Sequence, residues 1–367
     1  MTFTVLSDND VKHILRNLTQ SDTSTLVEAL ENALVRYSSQ GEQQYQPHRA
    51  VVSRPDGQVS LFMLATTEQS IGVKIVGIAP ASKLTSADPN VAPPPALRSA
   101  LTLCDAEGQA IGVLNAAELT AFRTALGSML LFRLRKNVQN LVVFGAGKQA
   151  LWHIRLAILL QGDKIKNITV VNRSQKRTEA LFDDLRGEAQ APWPSHISLK
   201  AFQDGTDDLE SLVQEADALF CTTPSTKPLF PTIFLSSEIA RKKTRFISAI
   251  GSYRLDMAEI DPELLKDIVD ISGSFANQVW EGYITVDTRD GCLQEAGELV
   301  SAGIDPKKML EVGNIFEGKL EPAQKEWLES GFVMYKSVGV GVMDIAIGQA
   351  LLQLAPSKNV GMSMESF

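Results

Sequence analysis

The sequence predicts an α/β protein that combines a Rossmann-type doubly wound sheet with a second, α+β region. One observation is a glycine turn, Gly145-Ala-Gly-Lys-Gln-Ala150, which follows an apolar run and precedes an apolar stripe at helical spacing. This order of strand, glycine turn and helix is typical of the first unit of a dinucleotide-binding domain. The other observation is a set of short apolar runs upstream, separated by turn residues, which indicates hairpins in an antiparallel or mixed sheet.

The region before the glycine turn predicts two helices followed by strands. Ser7 and Asp10 have the spacing of a capping box at a helix start, and Gly41 follows a second helical stripe where a C-terminal cap belongs. Turn sequences at residues 55–57 and 105–108 predict hairpins. The strand-like runs are residues 48–54, 59–65, 71–78, 99–104 and 110–115.

The glycine turn predicts how a dinucleotide would bind. Gly145 allows the tight turn, Gly147 lets a pyrophosphate approach the backbone, and Ala150 keeps the helix close to the sheet. The helix start offers free N–H groups and the positive end of a dipole to the phosphates. The predicted cofactor contacts in this turn are Gly145, Ala146, Gly147, Lys148 and Gln149.

The end of the next predicted strand, residues 168–171, indicates which dinucleotide binds. In NAD-binding units an acidic residue at this place usually holds the ribose 2′-hydroxyl, whereas this chain has polar and basic residues. A guanidinium and a hydroxyl suit a dianionic 2′-phosphate, so the sequence favours NADP(H) over NAD(H). The alternative is a solvated, basic helix start. The predicted contacts are Asn172, Arg173, Ser174 and Arg177.

The alternation of strands and helices continues beyond this unit. Strands are predicted at residues 217–222, 244–250 and 268–271, and an apolar helix at residues 338–354. Polar loops follow the first two of these strands, at Thr222-Thr-Pro-Ser225 and Gly251-Ser-Tyr253. Ligands of open α/β sheets bind beyond the carboxyl ends of the strands, so these loops are predicted to border the ligand.

The composition narrows the class of partner. The 367 residues fit two domains, and their net charge of −8 argues against nucleic acid or an anionic membrane as the main partner. Three scattered cysteines and four dispersed histidines lack metal-ligand spacing, so we predict no metal site. We find neither a signal-peptide pattern nor an apolar run long enough to span a bilayer. We therefore expect a cytoplasmic protein that binds a small molecule.

With these residues laid out, the chain resembles the ornithine cyclodeaminase/mu-crystallin family over nearly its whole length. Several ordered motifs at the family's spacing make this resemblance more specific than the dinucleotide turn alone. Besides the glycine turn and Thr222-Thr-Pro-Ser225, the matching segments are Pro47-His-Arg49, Gly72-Val-Lys-Ile-Val76, Leu119-Thr-Ala-Phe-Arg-Thr-Ala125, Ala249-Ile-Gly-Ser-Tyr253, Glu259-Ile-Asp261, Asp287-Thr-Arg289, Glu295-Ala-Gly-Glu298 and Lys336-Ser-Val-Gly339.

The resemblance implies a homodimer of two-domain chains. Residues 1–126 together with 318–367 would form a substrate-binding and dimerisation domain, and residues 127–317 an NADP(H)-binding Rossmann domain. The family includes ornithine cyclodeaminases, ketimine and pyrroline-2-carboxylate reductases, alanine dehydrogenases, and a crystallin that binds NADPH and thyroid hormone. Its enzymes move a hydride to or from the α-carbon of an amino or imino acid.

Three basic residues are candidates for holding a substrate carboxylate. Arg123 lies in a mostly apolar stretch, where its charge needs a partner such as a ligand carboxylate or an internal salt bridge. Arg49 could instead be a solvated strand residue. Lys74 could reach out of its apolar strand to water, or point into a cleft with a lowered pKa and act as acid, base or carboxylate contact. The resemblance implies that the three form the carboxylate and proton-transfer cluster, with Lys74 and Arg123 catalytic.

The resemblance also implies further cofactor contacts along the strand ends. Residues of the loop after residue 221 would border the nicotinamide ribose, although an ordinary strand-to-loop turn is the alternative. Two hydroxyl side chains, those of Thr124 and Ser337, would contact cofactor or substrate. The complete set is Thr124, Thr222, Thr223, Pro224, Ser337, Val338 and Gly339.

Tyr253 is predicted to contact the substrate and to decide the subclass. Ornithine cyclodeaminases carry an aspartate in this loop, which engages the amine of the substrate side chain, and our alignment places Tyr253 there. Tyrosine supplies no negative charge at neutral pH, although the nearby Asp256 could substitute. We therefore predict an NADPH-dependent reductase of small, cyclic ketimines or imino acids. The alternatives are an ornithine cyclodeaminase, an amino acid dehydrogenase and a non-catalytic NADPH-binding protein.

Overall fold

The computed structural model describes residues 2–80, 97–187, 193–273, 275 and 282–365, and the chain divides into two compact units. One unit is Met1–Arg123 together with Val340–Phe367, and the other is Thr124–Gly339. The strands are β1 (Phe3–Leu6), β2 (Ala50–Ser53), β3 (Val59–Thr67), β4 (Ser70–Ile78), β5 (Leu97–Asp105), β6 (Ala110–Asn115), β7 (Asn140–Phe144), β8 (Asn167–Val171), β9 (Ser198–Ala201), β10 (Ala218–Cys221), β11 (Phe246–Ala249), β12 (Ile284–Val286), β13 (Met309–Glu311), β14 (Val333–Lys336) and β15 (Met362–Met364). The helices are α1 (Asp8–Arg16), α2 (Gln20–Ser39), α3 (Ala116–Phe132), α4 (Lys148–Gln161), α5 (Gln175–Arg186), α6 (Leu209–Glu215), α7 (Ile233–Ser236), α8 (Pro262–Val269), α9 (Arg289–Glu295), α10 (Gly297–Ala302), α11 (Val312–Phe316), α12 (Pro322–Ser330) and α13 (Gly341–Leu354).

The first unit contains the mixed sheet that the hairpin pattern predicts. Over the described residues its seven strands lie in the order β15-β1-β6-β5-β4-β3-β2. The hairpins from β2 to β6 are antiparallel, whereas β1 pairs with β6 in parallel. Ser7 and Asp10 form the predicted capping box of α1. Helices α2 and α13 pack together, and α13 lies on β3, β4 and β5.

The two-residue period of β4 separates the faces of this sheet. Gly72, Lys74 and Val76 point to the buried face, whereas Ile71 and Ile75 are exposed on the other. A charged side chain therefore stands in a row of core positions. This is the first structural sign that Lys74 has a role other than packing.

The second unit contains a parallel sheet with the strand reversal of a doubly wound fold. Its eight described strands lie in the order β13-β12-β14-β11-β10-β7-β8-β9, and every pairing is parallel. The chain passes from β7 to β8 on one side and later to β10 on the other. Ligands of such sheets bind beyond the carboxyl ends of the strands at this reversal. The predicted α/β class is thus confirmed.

The ends of four neighbouring strands are level. The register pairs Phe144 with Cys221, Cys221 with Ala249, and Ala249 with Lys336, and these are the last residues of β7, β10, β11 and β14. The loops that follow these strands consequently leave the sheet along one edge. They include the glycine turn and both polar loops singled out in the sequence.

Two details of the sequence prediction are corrected by the structure. The strand predicted at residues 268–271 is wrong, because Ile268 belongs to the buried apolar face of α8. Asp261 is the N-cap of this helix, and Pro262 is its first residue. The predicted return to the first domain at residue 318 also differs from the structure, where the first unit resumes at Val340. The reason is that β14 pairs with β11 and β12 in the second sheet. No helix within the described ranges has both the length and the apolar character needed to cross a membrane.

Candidate active site

Lys74 is held on the buried face of the first unit by the close packing of α13 against the sheet. A Cβ at Gly72 would come within 2.9 Å of Ile345 Cγ1, and one at Gly348 within 2.5 Å of Leu101 Cδ2. Glycine at these two positions therefore lets the helix approach the strands. The side chain of Lys74 is 1% exposed, so it does not reach water as a surface lysine would.

Lys74 and Arg123 share one carboxylate, that of Asp344 in the first turn of α13. Lys74 Nζ lies 2.9 Å from Asp344 Oδ1 and 2.8 Å from Oδ2. Arg123 Nε donates to Oδ1 at 3.0 Å, and Arg123 Nη1 lies 3.7 Å from the sulfur of Met343. Arg123 is 4% exposed and Asp344 1%. The internal salt bridge considered for Arg123 is therefore present.

The electrostatics of this cluster leave Lys74 able to exchange a proton near neutral pH. Burial, and then the positive charges of Arg123 and Arg49, lower the pKa of Lys74, whereas Asp344 raises it, and the result is about 8. Burial alone would raise the pKa of Asp344, but the charges of Arg123 and Lys74 outweigh it and the pKa is lowered. Asp344 is therefore an anion at neutral pH, between two cations.

Arg49 is placed beside this cluster by the hairpin register. It directly precedes β2, in which Ala50 pairs with Phe62 of β3. The next residue of β3, Met63, pairs with Lys74 of β4. Arg49 is partly buried, and its charge reaches Lys74 strongly enough to lower that pKa. The structure thus brings together the three basic residues predicted from the sequence. Their role in binding a carboxylate stays a prediction.

The glycine turn of the second unit has the geometry that a dinucleotide pyrophosphate requires. Gly145 has a φ of 109°, and a Cβ there would lie 2.7 Å from Thr222 Oγ1. A Cβ at Gly147 would meet nothing within 4 Å, and no side chain caps α4. Gly147 therefore gives the first turn of this 14-residue helix no side-chain cap and leaves room beside it. An anion bound there would be stabilised by the first amides of the helix and by the helix dipole.

A cleft of about 320 Å³ adjoins this turn within the second unit. Gly147 and Lys148 line it from α4, and Arg177 and Asp184 from α5. Two predicted cofactor contacts thus place positive charge beside open space. This combination suits a phosphate group, because both side chains can adjust to it from an exposed position.

The polar residues after β8 are partly used by the fold. Asn172 Nδ2 donates to the carbonyl oxygen of Ser174 at 2.8 Å, and the Ser174 hydroxyl accepts the amide of Arg177 as the cap of α5. The side chains of Arg173 and Arg177 are exposed. Of the predicted 2′-phosphate contacts, the two arginines therefore retain guanidinium groups facing solvent, whereas Asn172 and Ser174 also shape the turn.

Glu259 joins the loops that follow β10 and β11. Its Oε1 accepts the amide of Thr223 at 2.6 Å, and its Oε2 accepts the amide of Gly251 at 2.6 Å. Burial raises the pKa of Glu259 to about 7, against the lowering effect of Lys336 and of the two amides. Thr222 is held separately, since its hydroxyl donates to the carbonyl oxygen of Phe144 at 2.7 Å. Pro224, next in the loop, is exposed.

A second buried carboxylate, Glu298, is neutralised by Lys336. Lys336 Nζ lies 3.0 Å from Glu298 Oε1 and donates to the carbonyl oxygen of Ser252 at 2.6 Å. The Ser252 hydroxyl donates to both oxygens of Glu298, at 2.5 and 2.7 Å. The three side chains are fully buried. Their hydrogen bonds fix the loop between β11 and α8.

A third carboxylate, Asp287, holds the predicted cofactor residues at the end of β14. Its Oδ2 accepts the Ser337 hydroxyl at 2.6 Å and the amides of Val338 and Gly339 at 3.1 and 2.6 Å. The donors of this segment are therefore engaged within the unit. Thr124 is buried in α3. Cofactor contact by these four residues remains a prediction.

Tyr253 lies on the surface of the second unit beside an ion pair. It is 37% exposed, and the guanidinium carbon of Arg254 lies 6.0 Å from its ring centroid. Arg254 also binds Asp256 through two hydrogen bonds of 2.8 Å, which lower the pKa of that carboxyl. The one acidic residue that could have replaced the missing aspartate is thus already paired with a cation.

The sequence reasoning missed Asp344 as a site residue and did not assign roles to the three buried acids of the second unit. Asp344 stands in an apolar helix, Val342-Met-Asp-Ile-Ala-Ile347, and an acidic residue in such a stretch was a usable signal. Glu259, Glu298 and Asp287 had appeared only as parts of matching motifs. Over the described residues, no group of three or more His, Cys, Asp and Glu side chains is arranged to hold a metal ion.

Comparison with known proteins places the chain in a family. The model of the ornithine cyclodeaminase/mu-crystallin family matches residues 7–359, so the chain belongs to this family. The ketimine reductase mu-crystallin of Macropus fuliginosus is 26% identical, over 92% of this chain and 93% of its own. The Delta(1)-pyrroline-2-carboxylate reductase of Bacillus cereus is 25% identical, over 91% of this chain and 95% of its own.

A solved structure shows the same fold. The Delta(1)-pyrroline-2-carboxylate reductase of Thermococcus litoralis, in complex with NADH and L-proline, superposes with a TM-score of 0.72. The match covers 98% of this chain and 99% of that one, at 17% sequence identity. The resemblance stated from the sequence motifs is thereby confirmed.

Proposed function

We propose that this protein is an NADPH-dependent reductase of small cyclic imino acids, such as pyrroline- or piperideine-2-carboxylate. Its relatives are oxidoreductases that act on C=N bonds with a nicotinamide dinucleotide, which supports the class of reaction. The observation that carries the substrate class is the buried cluster in which Lys74 and Arg123 share Asp344. Two buried cations with one carboxylate between them, and a third positive charge at Arg49, attract an anionic substrate group.

Arg123 is suited to hold the substrate carboxylate. Asp344 engages its Nε, so the edge formed by Nη1 and Nη2 stays outside the ion pair. On that edge Nη1 lies 3.7 Å from the sulfur of Met343, a weak acceptor. A substrate carboxylate could bind this edge through two parallel hydrogen bonds, which would fix the orientation of the α-carbon.

Lys74 is suited to the proton chemistry. Its pKa of about 8 means that both forms of the amine are accessible near neutral pH. When bound, the nicotinamide dinucleotide supplies the hydride that reduces the imine carbon. The imine nitrogen must be protonated to be a good acceptor, and the ammonium of Lys74 could hold or deliver that proton. The positive charge of Arg123 and Arg49 would at the same time keep the substrate carboxylate ionised.

The preference for NADPH is supported by the positive charge near the end of β8. Arg173 and Arg177 are exposed there, and Arg177 lines the cleft beside the glycine turn. A dianionic 2′-phosphate would find these two guanidinium groups at the end of the strand. NADH would gain less from both arginines, so we expect weaker binding of NADH.

The side chain of the substrate should carry no positive charge. Tyr253 offers an aromatic ring with a guanidinium beside it, and Asp256 is neutralised by Arg254. A cationic side chain such as that of ornithine would therefore find no free carboxylate in this loop. This supports a reductase over a cyclodeaminase.

A second copy of the chain is the proposed partner. On the sheet of the first unit, the face opposite α13 exposes Val5, Leu64, Ile71 and Ile75. Leu64 lies on β3 and Ile71 and Ile75 on the adjacent antiparallel strand β4, so these three side chains form an apolar surface. We expect Ile75→Asp to convert a dimer into a monomer in light scattering, whereas Ile239→Asp, at an exposed apolar residue of the second unit, should not. A monomeric wild-type protein would contradict the assembly.

The decisive experiment measures NADPH and NADH oxidation with pyrroline-2-carboxylate and piperideine-2-carboxylate, next to an assay for ammonia released from ornithine. Turnover of either imine with NADPH preferred supports the proposal. Ammonia release without imine reduction would mean a cyclodeaminase, and activity that requires a keto acid with added ammonia would mean an amino acid dehydrogenase. NADPH binding without any turnover would indicate a binding protein.

A further inference from the structure

We infer that Asp344 is a positioning residue of the active site, which aligns Arg123 for the substrate carboxylate and retains the proton on Lys74. This inference rests on the proposed function for its catalytic consequence. Among the described residues, Asp344 is the carboxylate paired with either cation, and its Oδ1 binds both at once. The side chain has no place in the hydride transfer itself.

Asp344 occupies only one edge of the Arg123 guanidinium. Hydrogen bonding at Nε fixes the plane of Arg123, while the paired terminal nitrogens are left for a second carboxylate. A bond to Nη1 and Nη2 would instead have blocked the substrate. The internal carboxylate therefore orients the arginine without competing for the edge that grips two oxygens.

The position of Asp344 on its helix also stabilises the carboxylate. It lies in the first turn of α13, where the helix dipole favours negative charge. Gly72 and Gly348 let this helix pack closely on the sheet, so the carboxylate is held rigidly beside Lys74. Two cations and a helix N-terminus together stabilise the anion at a position that is 1% exposed.

Three elements place a charged group near Lys74. Asp344 comes from α13, Arg123 from α3, and Arg49 from the segment before β2. Of these groups, Asp344 alone raises the pKa of Lys74, whereas burial and both arginines lower it. Without the carboxylate, Lys74 would lose its proton at a lower pH.

The test compares Asp344→Asn, Asp344→Glu and wild type in imine reduction across the pH range. Asn keeps the shape and removes the charge, so we expect kcat/KM at pH 8 to fall on the order of tenfold to hundredfold. The decline of activity with rising pH should begin about one to three pH units lower. Glu keeps the charge but moves it, so its kcat/KM should fall while the pH of the decline stays near that of wild type. An Asn variant with unchanged pH profile would overturn the inference.

A matched control is Asp22→Asn, which removes the carboxylate of another lysine ion pair in the same unit, with Lys358 at 2.7 Å. It should leave both kcat/KM and the pH profile as in wild type. If Asp22→Asn reproduced the change seen for Asp344→Asn, the effect would be one of general stability and the inference would be wrong.

A second readout needs no substrate, and so separates this inference from the proposed function. Because the pKa of Lys74 is lowered in the folded state, its charge costs stability at low pH, and this cost is relieved as pH rises through about 8 towards 10.5. In Asp344→Asn the relief should begin at lower pH, so the loss in Tm relative to wild type should shrink between pH 6 and 9. In a Lys74→Met background that loss should be independent of pH. A loss that is constant in both backgrounds would contradict the inference even if imine reduction is confirmed.

Discussion

Each of the two units buries a group of charged side chains, and the groups differ in how completely their charged atoms are hydrogen-bonded. In the second unit Glu259, Glu298 and Asp287 have each oxygen taken by an amide, a hydroxyl or Lys336. In the first unit Lys74 and Arg123 share the carboxylate of Asp344, and the guanidinium edge formed by Nη1 and Nη2 lies outside these ion pairs. The first arrangement is complete as it stands, whereas the second has capacity for one more anion.

This difference separates a scaffold from a binding site. Buried charges are costly unless they are paired and hydrogen-bonded, so one more anion would stabilise the two buried cations of the first unit. The acids of the second unit hold the loops at the strand ends, and their loss should therefore weaken the fold. The proposed role of the cations of the first unit is to bind the substrate carboxylate, so their loss should weaken catalysis more than the fold.

The largest effect on stability is expected for Lys336→Met. This change leaves Glu298 buried beside Ser252 without its cation, and breaking a buried pair in this way costs about 3–5 kcal/mol. Chemical denaturation should show the loss. Lys358→Met, in the more exposed pair with Asp22, should cost at most about 1 kcal/mol. Equal losses for the two variants would show that the buried group is not a scaffold.

Arg123→Gln should weaken catalysis more than stability, the reverse of what is expected for Lys336→Met. Loss of the charge-assisted bonds to the substrate carboxylate should reduce transition-state stabilisation by about 1.5–3 kcal/mol. This lowers kcat/KM on the order of tenfold to hundredfold. The free energy of unfolding should change less, because Asp344 keeps Lys74 as its partner. Steady-state kinetics and denaturation of the same preparation measure both quantities. An Arg123→Gln protein that is unstable but fully active would show that the cations of the first unit stabilise the fold and do not bind the substrate.

Glu259→Gln should have a smaller and pH-dependent effect. The amide nitrogen of Gln cannot accept the second backbone N–H, so we expect a loss of about 1–2 kcal/mol. Because the pKa of Glu259 is raised to about 7, wild type should lose stability as pH rises from 4.5 through 7, and the Gln variant should not. Melting curves at pH 5 and pH 8 should therefore show a smaller gap at pH 8. A gap of the same size at both pH values would mean that the carboxylate is ionised throughout this range.

The smallest effect is expected for Arg177→Ala at the rim of the cleft. An exposed ionic contact is worth about 1 kcal/mol at most, so NADPH should bind roughly fivefold more weakly. NADH binding and the free energy of unfolding should stay as in wild type. Fluorescence titration with both dinucleotides makes the comparison. An equal loss for NADH would place Arg177 at the pyrophosphate rather than at the 2′-phosphate.

The local signals in the sequence predicted much of the fold. The glycine turn, the turn residues of the hairpins and the capping box at Ser7 each act over a few residues, and each appears in the structure. The apolar run at residues 268–271 failed because a short run of this kind fits a helix end as well as a strand. The boundary near residue 318 failed because only long-range pairing assigns β14 to the second sheet.

The candidate site shows the same difference between local sequence signals and long-range contacts. Arg49, Lys74 and Arg123 could be chosen from residue type and family resemblance, and the sheet register brings them together. Asp344 lies 270 positions from Lys74 in the chain, and no local pattern pairs the two. Partners of a buried charge are decided by tertiary packing, so a sequence can indicate that a charge needs a partner without identifying it.

The cations of the first unit are expected to bind the carboxylate of the substrate. The most direct test compares the reduction of 1-pyrroline-2-carboxylate with that of 1-pyrroline, which has the same ring and no carboxylate, in wild type and in Arg123→Gln. We expect wild type to favour the carboxylate-bearing imine strongly, and Arg123→Gln to lose most of that preference through a raised KM. Equal turnover of the two imines by wild type would contradict the claim.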